Sequence, residues 1–417
     1  MVLELKPAIS QGQVQPPCQA ACPAGVRARD YIALIAQCRY RDAISLIREQ
    51  MPFPSACGRI CYYPCEAECN RGLVDEPVAI MHLKRFVSDY AYQAKFPYPD
   101  PVPKKRVETI AIIGAGPCGL TAAQDLTRLG YSVTIFEALP FPGGTLRAAL
   151  PFYSLPKKLL DWDIENILAL GMELKTKVTL DKSFSLEELR EEGYRAILIA
   201  TGADRSRKLS QPEVGIFAEG DLAAGTLWTV HAVAAGHQAA TAIARYLQNG
   251  SVIPFTVNPT RVAKLAKVDL EERIRQGQIK LKPRAEMPLW EPLEKVTDFS
   301  EMYLGYDEET AWQEARRCLN CGAVEIVDDE CTACLTCVRI CPYEVPIMSQ
   351  GTVEIRVERC RACGICVGEC PAEAIVSTLP GINDISSQIE AILKERPRSE
   401  LEPLIIGLCC SYWAQTI

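Results

Sequence analysis

The sequence predicts a multidomain protein of the α + α/β class: a helical N-terminal domain, a central α/β domain and a small α+β domain near the C-terminus. Three observations carry that reading. Cysteines crowd two separated stretches, 18–69 and 318–370. Between them, ETIAIIGAGPCGLTAAQDL sets an apolar strand, a glycine turn and a helix in succession. The segment YIALIAQCRYRDAISLIREQ (31–50) repeats apolar residues at three- and four-residue steps and reads as helical, with Cys38 inside it as a core residue. The expected boundaries are 1–94 for the helical domain, 95–106 for a proline-rich linker and 107–254 for the α/β domain. A connector of 255–327, a small domain of 328–380 and a C-terminal helix and docking tail of 381–417 complete the chain. Within 251–315 little specifies a core.

Composition narrows the class. Hydrophobic residues make up 48% and charged residues 23%, as in an ordinary folded protein, and the net charge of −7 argues against nucleic acid or an anionic membrane surface as partner. No apolar run reaches the roughly 18 residues of a membrane span. The N-terminus lacks the apolar core of a signal peptide. Twenty cysteines in so long a chain without an export signal point to metal rather than disulfides, and to a reducing cytoplasm.

The densest cysteine runs identify the metal. CTACLTCVRICP (331–342) and CRACGICVGECP (360–371) both read C-x2-C-x2-C-x3-C-P. That run binds [4Fe–4S] clusters in bacterial two-cluster ferredoxins, with the fourth cysteine serving the other cluster. One set is therefore Cys331, Cys334, Cys337 and Cys370, and the other is Cys360, Cys363, Cys366 and Cys341. A bacterial ferredoxin-like α+β domain follows.

In the central domain, Gly114, Gly116 and Gly119 form G-x-G-x-x-G, and Glu137 ends the next strand 18 residues beyond Gly119. The glycines permit a tight turn at a pyrophosphate, the helix N-terminus favours its charge, and the acidic residue accepts from a ribose hydroxyl. This is a Rossmann-like domain. Three further segments resemble flavoproteins of the glutamate synthase small-subunit type: PGGTLRAALP with Gly143, Gly144 and Arg147, AILIATGA with Thr201 and Gly202, and the GD segment with Gly220 and Asp221. The resemblance implies FAD, with the helix start at Thr229 and Val230 facing the isoalloxazine. His231 begins that helix, either in an electrostatic role toward reduced flavin or as a plain helix residue. In that family an NAD(P)H domain is inserted between the ATG strand and the GD motif. Here 17 residues separate Gly202 from Gly220, fewer than the roughly 30 of a βαβ unit, so the insertion is absent.

PCQAACPAG (17–25) and ACGRICYYPCEAECNRG (56–72) resemble the N-terminal iron–sulfur domain shared by the glutamate synthase small subunit and dihydropyrimidine dehydrogenase. Those relatives begin with an RCxxCG segment that this chain lacks at its N-terminus, yet EARRCLNCG supplies the same pattern at Cys318 and Cys321. The resemblance thus implies a split cluster held by Cys18, Cys69, Cys318 and Cys321. A second cluster takes Cys22, Cys61 and Cys65. Lys84 stands where the relatives place a fourth ligand and is a poor one, which leaves Cys57. The open alternative is that Cys57, Cys318 and Cys321 are unligated and the domain holds one cluster.

Four clusters and one FAD imply an electron-transfer subunit of a multisubunit oxidoreductase. Clusters on both sides of the flavin domain in sequence match the layout of a branch point, as in heterodisulfide-reductase-like or electron-bifurcating complexes. The expected partners are other redox subunits, of hydrogenase-adaptor or heterodisulfide-reductase type. The tail LEPLIIGLCCSYWAQTI, with Cys409 and Cys410, resembles the opening of the hydrogenase adaptor, or is a packed strand. Cys118, in the glycine loop, reads as packing. Two rival functions stay open: a self-sufficient NAD(P)H:ferredoxin oxidoreductase, and a non-catalytic assembly scaffold.

Overall fold

The computed structural model describes residues 15–150, 154–202, 214–218, 228–249, 262, 265, 267–289, 301–326, 330–349, 352–360 and 363–377. The first domain is built on helices α1 (Ala28–Ala36), α2 (Tyr40–Gln50), α3 (Pro54–Ile60) and α4 (Ile80–Gln93). Ile32 and Ile35, Ile44 and Ile47, and Leu83 and Val87 are buried together, as the helical spacing requires. Segment 31–50 is two helices rather than one, and Cys38 is a correction: it lies exposed on the turn between them, with φ of 57°. Arg39 N donates to Leu34 O (2.9 Å) and Cys38 N to Ile35 O (2.9 Å), the paired closure that ends a helix on a left-handed residue. Apolar periodicity continues through the break because both helices face one core.

The central domain is a five-stranded parallel sheet of order β3-β2-β1-β4-β5, from β1 (Thr109–Ile113), β2 (Ser132–Glu137), β3 (Glu173–Thr176), β4 (Tyr194–Ile199) and β5 (Ile216–Ala218). Ile110, Ala111 and Ile112 are fully buried, which suits a strand covered on both faces. Helices α5 (Pro117–Arg128), α6 (Lys157–Leu168) and α7 (Thr229–Asn249) pack on it. Strand β5 falls between Gly202 and Gly220 and adds to the same sheet beside β4. Among the described residues that interval therefore extends the first sheet and opens no second one.

The first and central domains share one apolar core. Residues 95–106 form no helix or strand and run along the central domain, with Val102 N donating to Leu170 O (2.9 Å) and Lys105 N to Gly130 O (3.0 Å). Buried Asp163 on α6 accepts from Ser55 N (3.0 Å), Ser55 Oγ (2.9 Å) and Ala56 N (3.3 Å) at the start of α3. His237 on α7 sits between Asp125 Oδ2 (2.5 Å from Nδ1) and Gln50 O (2.9 Å from Nε2). Both partners accept, so both ring nitrogens donate and the ring is charged. Burial draws its pKa down, but Asp125 and the Gln50 carbonyl outweigh burial and hold it above the ordinary value. A raised folded pKa means the stabilisation is complete below about 6.5 and is lost as pH rises through the raised value. Thermal unfolding from pH 6 to 9 should thus show a steeper fall in Tm for the native chain than for His237→Gln; equal slopes would contradict the charged bridge.

The connector is better packed than its sequence suggests. It contains α8 (Lys267–Arg275) and α9 (Glu308–Ala315), and Tyr306, Ala311 and Ala315 enter the first domain's core. Leu270, Ile279 and Leu319 add a small apolar cluster against Val74, and further ties are polar, which apolar patterning does not reveal. Glu314, 1% exposed, accepts from Ala79 N (2.8 Å) and Ala285 N (2.9 Å) and pairs with Arg317 (2.7 Å). Arg317 also reaches Asp75 (2.9 Å).

The last domain pairs β6 (Val324–Ile326) antiparallel with β9 (Ile375–Ser377), and β7 (Pro346–Ser349) with β8 (Thr352–Ile355). Val345, Val353 and Ile375 surround Cys337, Cys360 and Cys366 in its core. Among the described residues no helix is long and apolar enough to cross a membrane. The helix expected at 382–395 and the tail with Cys409 and Cys410 lie outside the described residues, as do Gly220 and Asp221.

Candidate metal centres and nucleotide-binding site

Cys18 and Cys69 neighbour Cys318 and Cys321 from the far side of the central domain's sequence. Burial pushes the Cys18 thiol well up, and Cys318, Cys69 and Cys321 push it further. Cys318 is driven up to about 12 by burial and by Cys321, and Cys321 to about 11 by burial, with Cys69 adding to it. Asn70 Nδ2 donates to Cys321 Sγ (3.3 Å), and Arg71 donates to Arg317 O (3.1 Å), so the two distant segments are tied beside the thiols themselves.

A second group gathers Cys22, Cys57, Cys61 and Cys65 around Lys84. Cys57 is fully buried and Lys84 is 6% exposed. Burial favours a neutral amine, but the thiols of Cys57, Cys61, Cys65 and Cys22 outweigh it and hold the ammonium's pKa above its ordinary value. Burial raises Cys57 and Cys65, with Lys84 opposing. Tyr63 N donates to Cys61 Sγ (3.4 Å).

In the last domain Cys331, Cys334, Cys337 and Cys370 line one small cavity. Cys366 is pushed up to about 12 by burial and by Cys360, Cys363 and Cys341. Each group thus draws on both cysteine runs. Cys334 and Cys363 are exposed.

The described cysteines form no disulfide. Buried thiols that raise one another's pKa are a poor place for bare thiolates, and a cationic iron core supplies the charge they lack. The donor sets fit [4Fe–4S] clusters.

The nucleotide site is a cavity of about 430 Å³ lined by Gly114, Gly116, Glu137, Gly144, Thr201 and Gly202 among others. At Gly119 a Cβ would stand 2.0 Å from Gly114 O, so only glycine permits this turn. Glu137 is fixed by Ala115 N (2.7 Å) and Leu139 N (2.8 Å) at the cavity edge. Gly143 supports the loop from behind, its N donating to Ala115 O (2.8 Å). Arg147 does not line the cavity; its guanidinium is taken by Asp161, Pro142 O and the Phe141 ring. Cys118 is buried in the turn.

Thr229 and Val230 open α7, and Ala232 reaches the cavity. Beside them Tyr62, the neighbour of Cys61, stacks on His231 (centroids 5.7 Å, 12° between planes) and packs on Trp228 (5.0 Å). Tyr62 Oη lies 3.4 Å from His231 Nε2, while the buried His231 Nδ1 has no partner among the described residues. The cradle without side chains and this orphaned nitrogen fit a flavin dinucleotide. Neither Tyr62 nor Trp228 stands out in the sequence; the adjacency of Tyr62 to Cys61 was the available signal.

Comparison with known proteins agrees with this division. Residues 12–96 match the family model described as dihydropyrimidine dehydrogenase domain II, 4Fe-4S cluster. Residues 108–239 match pyridine nucleotide-disulphide oxidoreductase, and 330–375 match the 4Fe-4S dicluster domain. The beta subunit of an NADPH-Fe(3+) oxidoreductase of Geobacter sulfurreducens is 41% identical over 196 residues, 46% of this chain and 29% of that protein. The PreT subunit of an NAD-dependent dihydropyrimidine dehydrogenase of Salmonella typhimurium is 39% identical over 45% of each chain. The glutamate synthase [NADPH] small chain of Mycobacterium tuberculosis is 35% identical over 47% of this chain and 40% of that one. The match thus spans less than half the length of each of these relatives.

Proposed function

We propose that this chain, which joins a dihydropyrimidine-dehydrogenase-type iron–sulfur domain to a pyridine nucleotide-disulphide oxidoreductase domain and a 4Fe-4S dicluster domain, is an FAD- and iron–sulfur-containing electron-transfer subunit of a larger oxidoreductase. The convergence of Cys18 and Cys69 with Cys318 and Cys321 carries the reading. It sets the first domain between the flavin domain and the dicluster domain. Four clusters are then held by the four cysteine groups described above, with Cys57 as the fourth donor beside Lys84. Clusters exchange single electrons and flavin exchanges one or two, so the cofactors supply the chemistry and the protein sets order, potential and access.

Tyr62 connects the Cys61 side of the second group to the helix start that faces the flavin. This contact supports a relay that passes through the second cysteine group to the flavin side of the central domain. Exposed Cys334 and Cys363 make the dicluster domain the face for a partner redox subunit, of heterodisulfide-reductase or hydrogenase-adaptor type. The three relatives compared above are likewise named as subunits or chains of larger enzymes.

Because the described residues between Gly202 and α7 add a strand to the first sheet and open no second one, the flavin should be reduced from the iron–sulfur side. In stopped-flow mixing, reduced methyl viologen should bleach the flavin rapidly, and NADH or NADPH slowly or not at all. Rapid bleaching by either nicotinamide would favour the self-sufficient NAD(P)H:ferredoxin oxidoreductase instead.

A further inference from the structure

One buried guanidinium touches two of the cysteine groups at once. Arg29, 6% exposed on α1, donates from one terminal nitrogen to Cys321 O (3.3 Å) and from the other to Cys360 O (3.2 Å). Its Nε donates to Asp30 Oδ1 (2.8 Å), and Asp30 is itself buried. The fork is therefore held from behind while its two ends face carbonyls of residues far apart in sequence. Arg29 also lies close enough to the Cys18 and Cys360 thiols for each to act on its charge, and it lowers Cys318 and Cys321 in turn. The turn before Cys360 is tied again just beyond the other end of α1, where Arg39 pairs with Glu358 (3.2 Å).

We propose that Arg29 is the positioning residue of an electron junction, holding the Cys360 cluster of the dicluster domain directly against the split cluster of Cys18, Cys69, Cys318 and Cys321. This rests on the cluster assignments proposed above. It also orders the relay, which nothing in the cysteine spacing does. The Cys360 group, tied through Arg29 to the split cluster, is the inner one and the Cys331 group the outer one, although each keeps one exposed cysteine, Cys363 and Cys334. With clusters bound, the cysteine sets on either side of Arg29 would exchange single electrons, the Cys360 set giving one and the split set taking it, with no bond made and no proton required.

A lysine at position 29 keeps a charge for Asp30 but cannot reach two carbonyls with a rigid planar fork. The test is electron paramagnetic resonance of the fully reduced full-length chain, with iron and FAD measured on the same samples. The native chain should show magnetic interaction between the split cluster and one dicluster centre. In Arg29→Lys the iron and FAD contents should stay native while that interaction weakens. Flavin reduction from reduced methyl viologen should slow roughly tenfold, as expected for ångström-scale loss of positioning. A native spectrum free of interaction, with all clusters present, overturns the proposal without need of the variant. So does an Arg29→Lys protein with native interaction and native rate. Native iron short by one cluster, with the split-cluster signal missing, instead removes the cluster assignment on which the junction stands.

Discussion

Replacing Cys318 and Cys321 together with serine should abolish one [4Fe–4S] cluster and lower iron by about four atoms per chain, with FAD retained. The size of this effect follows from where the two thiols lie. They are close in sequence to the dicluster domain, yet their electrostatic neighbours are Cys18 and Cys69. The lost signal should therefore be that of a first-domain centre, and both dicluster signals should remain. The α9 segment should stay docked in the variant, because Glu314, Arg317 and Asp75 hold it independently of the thiols. Mössbauer and paramagnetic resonance spectra of the variant check this. Unchanged iron would mean that the pair binds no cluster.

Lys84→Met should lower the midpoint potential of the centre held by Cys22, Cys57, Cys61 and Cys65. A buried ammonium among four thiolates stabilises the more negative, reduced state of anything they hold. At a separation of roughly 8 Å and an effective dielectric of about 20, a unit charge is worth ~2 kcal/mol, or on the order of 90 mV for a one-electron couple. Redox titration of the variant should show that fall in one centre, and Lys84→Arg should restore most of it. An unshifted potential in Lys84→Met, with iron intact, would mean that the charge is compensated elsewhere.

The cysteine runs and the glycine turn were legible because their chemistry fixes spacing along the chain. Both depend on residues a few positions apart, so a linear pattern carries them. The buried charges were not legible, for the opposite reason. Arg29 and Asp30 head α1, and Lys84 and Arg85 interrupt α4, yet all four are buried. In sequence they look like the solvated side of an amphipathic helix. Arg29 reaches the carbonyls of Cys321 and Cys360, Arg85 the carbonyl of Tyr303, and Lys84 the thiols of Cys22, Cys57, Cys61 and Cys65, and no local rule points to those. Cys38 failed in a different way, since a left-handed turn hid inside an unbroken apolar period. A charge pair inside an otherwise apolar helical stripe near metal-type cysteines is the signal that would have marked Arg29 and Lys84 in advance.

The central claim is that Cys318 and Cys321 share a cluster with Cys18 and Cys69 in a chain that also holds a flavin. The most direct measurement is the iron, acid-labile sulfide and FAD content of the anaerobically purified native chain. The account predicts about sixteen iron atoms, four for each of four cubanes, per FAD. About twelve irons per FAD would contradict it, leaving Cys318 and Cys321 as thiols without metal.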